Sequence, residues 1–128
     1  MLHHIELYVS NLGKSTAFYH QLLVKHLGYQ VYQEWSLGIS FKRDKTYLVL
    51  VQTEEKHLTP PYHRKRTGLN HLAFWVHDAA QLDTIQKELI ESGVQILYPD
   101  KPRDANGYQA IYFEDPDRIK LELVYDPD

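Results

Sequence analysis

Three residues far apart in the chain, His4, His71 and Glu122, are of types that bind a divalent metal ion. Each lies in a run where polar and apolar residues alternate. In His4-Ile5-Glu6-Leu7-Tyr8-Val9 the apolar set is Ile5, Leu7 and Val9, which leaves His4, Glu6 and Tyr8 on the other side of a strand. The same parity leaves His71, Ala73 and Trp75 in the run from His71 to Val76, and Lys120, Glu122 and Val124 in the run from Lys120 to Val124. Two imidazoles and a carboxylate make a donor set for Fe(II), Mn(II), Zn(II) or Ni(II), with positions left open for water or substrate. Neutral imidazole and ionised carboxylate are common forms near neutral pH, so such a site binds metal with little proton release. A single histidine on an open strand face is more often solvated than ligating. The recurrence of histidine at the mouth of two matching strands is what points to a built site.

Those strands belong to a repeat. His4 to His71 spans 67 positions, Asn11 to Asp78 spans 67 again, and Gly28 to Gly93 spans 65. In the first half Asn11 is expected to cap a helix that turns Ala17, Phe18, Leu22 and Leu23 inward and stops near Gly28, followed by strands over 29–34, 36–42 and 47–51. In the second, Asp78 caps a helix with Leu82, Ile85 and Leu89 on one face, closed by Gly93, with strands over 94–98, 110–113 and 120–124. The pattern reads as an α+β fold in a single domain over 1–128. Two tandem βαβββ modules, 1–52 and 68–126, form one curved mixed sheet with the helices on its outer face. Residues 53–67, with Pro60-Pro61 and the basic run Arg64-Lys65-Arg66, read as a linker. With helices on one face, the other is left to line a cavity.

Bulk composition narrows the function classes. The chain has 128 residues, no cysteine and a net charge of −3, so thiolate nucleophiles and Cys-based zinc sites are excluded. The charge gives no general attraction to nucleic acid or to an anionic membrane, and three basic residues in the linker are too few to reverse that. No apolar run approaches the ~20 residues that cross a bilayer, and no signal-peptide pattern is visible, so a cytoplasmic location is expected. The chain carries 8 His and 10 Tyr, both suited to lining a polar site.

Several motifs resemble one family. They are the opening His-x-x-x-x-Val with an Asn or Asp cap after it, the helix carrying Ser15, Phe18 and Tyr19, and the closing run from Tyr112 to Leu123 through Asp115-Pro116-Asp117. This pattern, over about 1–126, is similar to the vicinal oxygen chelate superfamily of glyoxalases, extradiol dioxygenases, fosfomycin-modifying enzymes and bleomycin-binding proteins. The resemblance implies a divalent metal on His4, His71 and Glu122, and a small oxygenated substrate whose developing negative charge the metal stabilises. Aligning Asp44 with Asp117 sets Val49 opposite Glu122, where glyoxalase I-like members carry a further carboxylate; this counts against that activity. Glu6 and His63 are candidate acid–base groups, His63 by reaching over the cavity from the linker. Tyr8, Tyr47, Val49 and Trp75 are expected to line the pocket, and Gly107-Tyr108 reads as a turn between strands, with a lid as the alternative. A homodimer is implied as well. The alternative within the family is a metal-free protein that sequesters a small antibiotic between aromatic walls. His3, with the parity of Ile5, is expected in a frayed terminus, and Arg118 stands where the family's turn has glycine.

Overall fold

Asn11 and Asp78 open the two helices in the same way. The Asn11 side chain accepts from the Lys14 N–H at 3.0 Å, and Asp78 accepts from the Gln81 N–H at 2.9 Å. Each satisfies one of the donors that the first turn of a helix leaves unpaired. Gly28 and Gly93, at φ of 76° and 81°, end them in the left-handed region where a side chain is disfavoured. The computed structural model describes residues 1–99, 108–127 and, for their backbone, 104–105. They fall into two units, Met1–Pro61 and Tyr62–Asp128.

The first unit runs β1 (His4–Val9), α1 (Leu12–Tyr19), β2 (Gln30–Trp35), β3 (Gly38–Arg43) and β4 (Thr46–Gln52). Its sheet has the order β1-β4-β3-β2, with β1 parallel to β4 and the other pairs antiparallel. Beyond α1 the helix widens into π-helical turns over His20–His26. Ser15, Tyr19, Leu22, Leu23 and Leu27 are buried, whereas Ala17, expected inward, is exposed because it lies on the opposite side of the helix from Ser15, Tyr19 and Leu22. Tyr19, Leu22, Leu23 and Leu27 pack with apolar side chains of the sheet that include Leu7, Val9, Ile39, Phe41, Leu48 and Leu50.

The second unit repeats the plan with β5 (His71–Trp75), α2 (Ala79–Glu91), β6 (Ile96–Leu97), β7 (Asp104–Ala105), β8 (Tyr108–Glu114) and β9 (Lys120–Tyr125). The order is β5-β9-β8-β6, with β7 also on β8 and β5 parallel to β9. Leu82, Ile85 and Leu89 of α2 are buried, as their spacing requires, and α2 packs on β6, β8 and β9. Ile111, Phe113, Leu121 and Leu123 are buried on those strands. Each such side chain contributes about 1.5–3 kcal/mol by leaving water.

The α+β fold of two tandem modules is thus as expected. The strands expected to form one curved sheet are hydrogen-bonded, among the described residues, as two ladders. β1 and β5 each take their parallel partner from the closing strand of their own unit, so neither ladder passes into the other. The linker carries a single helical turn at Glu55–His57. No helix among the described residues is long and apolar enough to cross a membrane.

Candidate metal centre

Cross-strand register builds the candidate site in the second unit. His71 pairs with Lys120, Ala73 with Glu122, and Tyr112 with Glu122 from the other side. Paired residues point to the same face of a sheet, so these side chains share the face away from Leu121 and Leu123. Glu122 is only 4% exposed although it lies on the open face, because β9 has a neighbour on both sides.

A directed chain of hydrogen bonds runs through this face. The Asn70 amide Nδ2 donates to the Arg64 carbonyl at 3.1 Å, which turns Asn70 Oδ1 toward His71 Nδ1 at 2.7 Å. An amide oxygen only accepts, so Nδ1 carries the hydrogen. Nε2, 3.1 Å from Glu122 Oε1, then holds either a second proton or a lone pair. On the far side of the carboxylate, the Tyr108 hydroxyl donates to Oε2 at 2.6 Å. That bond, with burial second, pushes the Tyr108 phenol up to about 12. Tyr112 is also raised, first by burial and then by the Glu122 charge. Both phenols therefore remain donors around an acceptor-only carboxylate.

His71 and Glu122 fit a divalent cation. Two donors at 2.0–2.2 Å from one ion, subtending a right angle to a tetrahedral one, stand roughly 2.8–3.6 Å apart, and Nε2 and Oε1 are 3.1 Å apart. With Nδ1 as donor, the neutral imidazole faces the carboxylate acceptor to acceptor, an arrangement a cation between them relieves. Among the described residues no group of three or more His, Asp or Glu is placed to hold an ion, so the structure supplies a pair.

Beside the pair, the Lys120 ammonium donates to the Tyr98 hydroxyl at 2.9 Å and lies 4.9 Å from the ring centres of Tyr98 and Tyr112. This places a cation on the same face of β9 as Glu122.

A profile of the Glyoxalase/Bleomycin resistance protein/Dioxygenase superfamily matches residues 1–123. The chain belongs to this superfamily. The uncharacterized protein YqjT of Bacillus subtilis is 51% identical over 96% of the chain and 97% of its own length. The glutathione transferase FosA of Serratia marcescens is 32% identical, over 95% of this chain and 78% of FosA. Among solved structures, a candidate glyoxalase from Bacillus halodurans is 50% identical, with a TM-score of 0.92 over 97% of this chain and 94% of that one.

Within this superfamily member, the remaining expected site residues fall as follows. In the first unit His4, Glu6, Tyr8, Tyr47 and Val49 share one face, since His4 pairs with Tyr47 and Glu6 with Val49. The His4 ring stacks on Tyr47 at 4.7 Å with an interplanar angle of 3°. His3 is tied in rather than frayed: its Nδ1 is 2.8 Å from His4 Nδ1, and its carbonyl accepts from the Tyr47 N–H at 3.2 Å. Glu6 and Tyr8 are exposed, and Val49 is buried. Trp75, at 66% exposed, stands on the open face of β5. His63 is exposed and its Nδ1 accepts from the Lys65 N–H at 3.1 Å. Gly107 lies outside the described residues, while Tyr108 belongs to β8 and to the carboxylate's shell.

Three contributors were not among the expected site residues: Asn70, Tyr108 as a partner of Glu122, and Tyr112. Parity could have found the two tyrosines, which share the face of Ala110 and Glu122. Asn70 carries no periodic signal, because it precedes the strand.

Proposed function

We propose that the chain is a metal-dependent enzyme acting on a small oxygenated substrate, with His71 and Glu122 as ligands and His4, by resemblance, as the third. The observation that carries this reading is the 3.1 Å approach of His71 Nε2 to Glu122 Oε1, with Nδ1 already committed to Asn70. A bound divalent ion would act as a Lewis acid, stabilising negative charge on a substrate oxygen by several kcal/mol.

The chain's own groups supply the rest. Asn70 holds the imidazole in one tautomer, and Tyr108 and Tyr112 hold the carboxylate in its orientation. Lys120 offers a positive charge for an anionic substituent of the substrate. Tyr8, Tyr47, Val49 and Trp75 are proposed to line the pocket, with Glu6 and His63 as the groups available to move a proton. Transfer of a nucleophile is the reaction class we favour, because the relatives include proteins named glutathione transferase FosA and metallothiol transferase FosB, each 32% identical. The assembly proposed is a homodimer.

The test is metal binding by protein purified without nickel or chelator. Calorimetric titration with Mn(II), Ni(II) and Zn(II) is expected to give about one ion per chain, with binding lost in His71→Ala. Absence of binding by all three, with the protein folded, would sink the reading; ligand binding without metal would favour a sequestering protein.

A further inference from the structure

The segment before β5 does more than connect. The Tyr62 hydroxyl donates to the Leu69 carbonyl at 2.6 Å. The Arg64 guanidinium meets Glu114 Oε2 at 2.8 Å, with both side chains largely buried, at 20% and 11% exposed. The Arg64 carbonyl in turn accepts from Asn70 Nδ2. Arg64 is thus anchored on β8 by its side chain and holds the Asn70 amide by its backbone.

Arg64 and Asn70 are tied to His71 by what each atom can do. If the Asn70 amide were turned over, its oxygen would face the Arg64 carbonyl, acceptor against acceptor at 3.1 Å. The orientation is therefore fixed from the strap side, and with it the requirement that His71 Nδ1 be the protonated nitrogen. Without that requirement a neutral His71 would put its hydrogen on Nε2 and donate it to Glu122, closing the pair against a metal ion.

We propose that Arg64 and Asn70 are positioning residues: the strap over 62–70, locked to Glu114 through Arg64, sets the tautomer of His71 and so keeps Nε2 open as a metal donor. This rests on the metal reading for its purpose but not for its test, since the tautomer can be read in metal-free protein.

The experiment is long-range ¹H–¹⁵N correlation spectroscopy of the metal-free chain, following the His71 ring nitrogens, paired with calorimetric Mn(II) and Zn(II) titrations. At a pH where His71 is neutral, the wild type is expected to show the Nδ1–H form. Asn70→Ala is expected to shift it toward Nε2–H and to weaken metal binding by about 10–100-fold. Asn70→Asp still accepts from Nδ1 but gives up the bond to the Arg64 carbonyl, so it should restore the wild-type tautomer and only part of the affinity, an outcome that loss of the strap contact alone would not give. Arg64→Ala should move both readouts in the same direction as Asn70→Ala, by less. A wild type already in the Nε2–H form, or an Asn70→Ala protein unchanged in tautomer, overturns the proposal. The tautomer shift without metal binding by any form would leave the relay standing and overturn the metal reading instead.

Discussion

Replacing Glu122 by Gln separates a ligand from a structural carboxylate. In the metal-free protein, the substituted glutamine keeps the volume of a side chain that is 4% exposed. Its oxygen can accept from Tyr108, now at 2.6 Å from Glu122, and its amide can donate to the His71 Nε2 lone pair, now 3.1 Å from a second acceptor. The change gives up the charge assistance in the Tyr108 bond, about 1 kcal/mol. Against this, it removes the desolvation of a buried charge, which is of comparable size or larger. Glu122→Gln is therefore expected to alter metal-free stability by no more than about 1 kcal/mol. Glu122→Ala, which orphans the Tyr108 hydroxyl and leaves a void, is expected to cost about 2–4 kcal/mol. Metal affinity should behave differently. Loss of the anionic donor is expected to weaken binding at least ~100-fold, or about 2.7 kcal/mol, in both variants. Urea denaturation of the metal-free proteins and calorimetric metal titration measure the two quantities. The reasoning is refuted if Glu122→Gln binds metal as tightly as wild type, or if it destabilises the metal-free chain as much as Glu122→Ala does.

Three further outcomes follow from particular contacts. Because the Tyr108 phenol is raised from 10.0 to about 12 in the folded chain, its contribution to stability is complete below about pH 10 and is lost as pH climbs toward 12; the stability gap between wild type and Tyr108→Phe should shrink across that window in urea melts. Asp115 Oδ1 accepts from the N–H groups of Asp117 and Ile119 at 2.8 and 2.9 Å, and Ile119 is only 3% exposed. Asp115→Ala should therefore cost about 2–3 kcal/mol in chemical denaturation. Arg118 sits at φ of 64°, where a side chain costs about 1 kcal/mol, and its ion pair with Glu114 comes from a side chain that is 78% exposed. Arg118→Gly is therefore expected to raise Tm by roughly 2–4 °C in a calorimetric scan.

Alternation and repeat carried the architecture. Both helix caps, both closing glycines, the buried face of α2 and the open-face parity of His71 and Glu122 follow from sequence periods that the backbone obeys. What escaped has local physical causes. Ser15, Tyr19 and Leu22 share the buried face of the first helix at i, i+4 and i+7, and Ala17 lies opposite; a reading from apolar residues alone misses that face because Ser15 is polar. Tyr108 escaped because β8 begins two residues before the β-branched and aromatic run that marks it, so the phenol that caps Glu122 reads as part of a turn. The Asp115 turn keeps its left-handed residue even with Arg118 there, since three hydrogen bonds to Asp115 hold it: the Arg118 N–H on its carbonyl and two N–H groups on its side chain. Asn70 acts through one amide, and single hydrogen bonds leave no periodic trace.

The two modules show why only one carboxylate became a ligand candidate. The registers equate His4 with His71, Tyr47 with Lys120, and Val49 with Glu122. On its parallel-paired strands each module carries one carboxylate on this face, but on different strands: Glu6 on β1, opposite Val49, and Glu122 on β9, opposite Ala73. β1 lies at the end of its sheet, with one neighbour, and Glu6 stays exposed. β9 lies between β5 and β8, so Glu122 receives His71 from one side and the two phenols from the other. A charge removed from water is tolerated only where donors or a cation meet it. An interior strand of a sheet can supply them from both flanks, and a strand at its end can supply them from one. The sheet order, more than the residue type, therefore decides that Glu122 is buried among donors while Glu6 faces solvent.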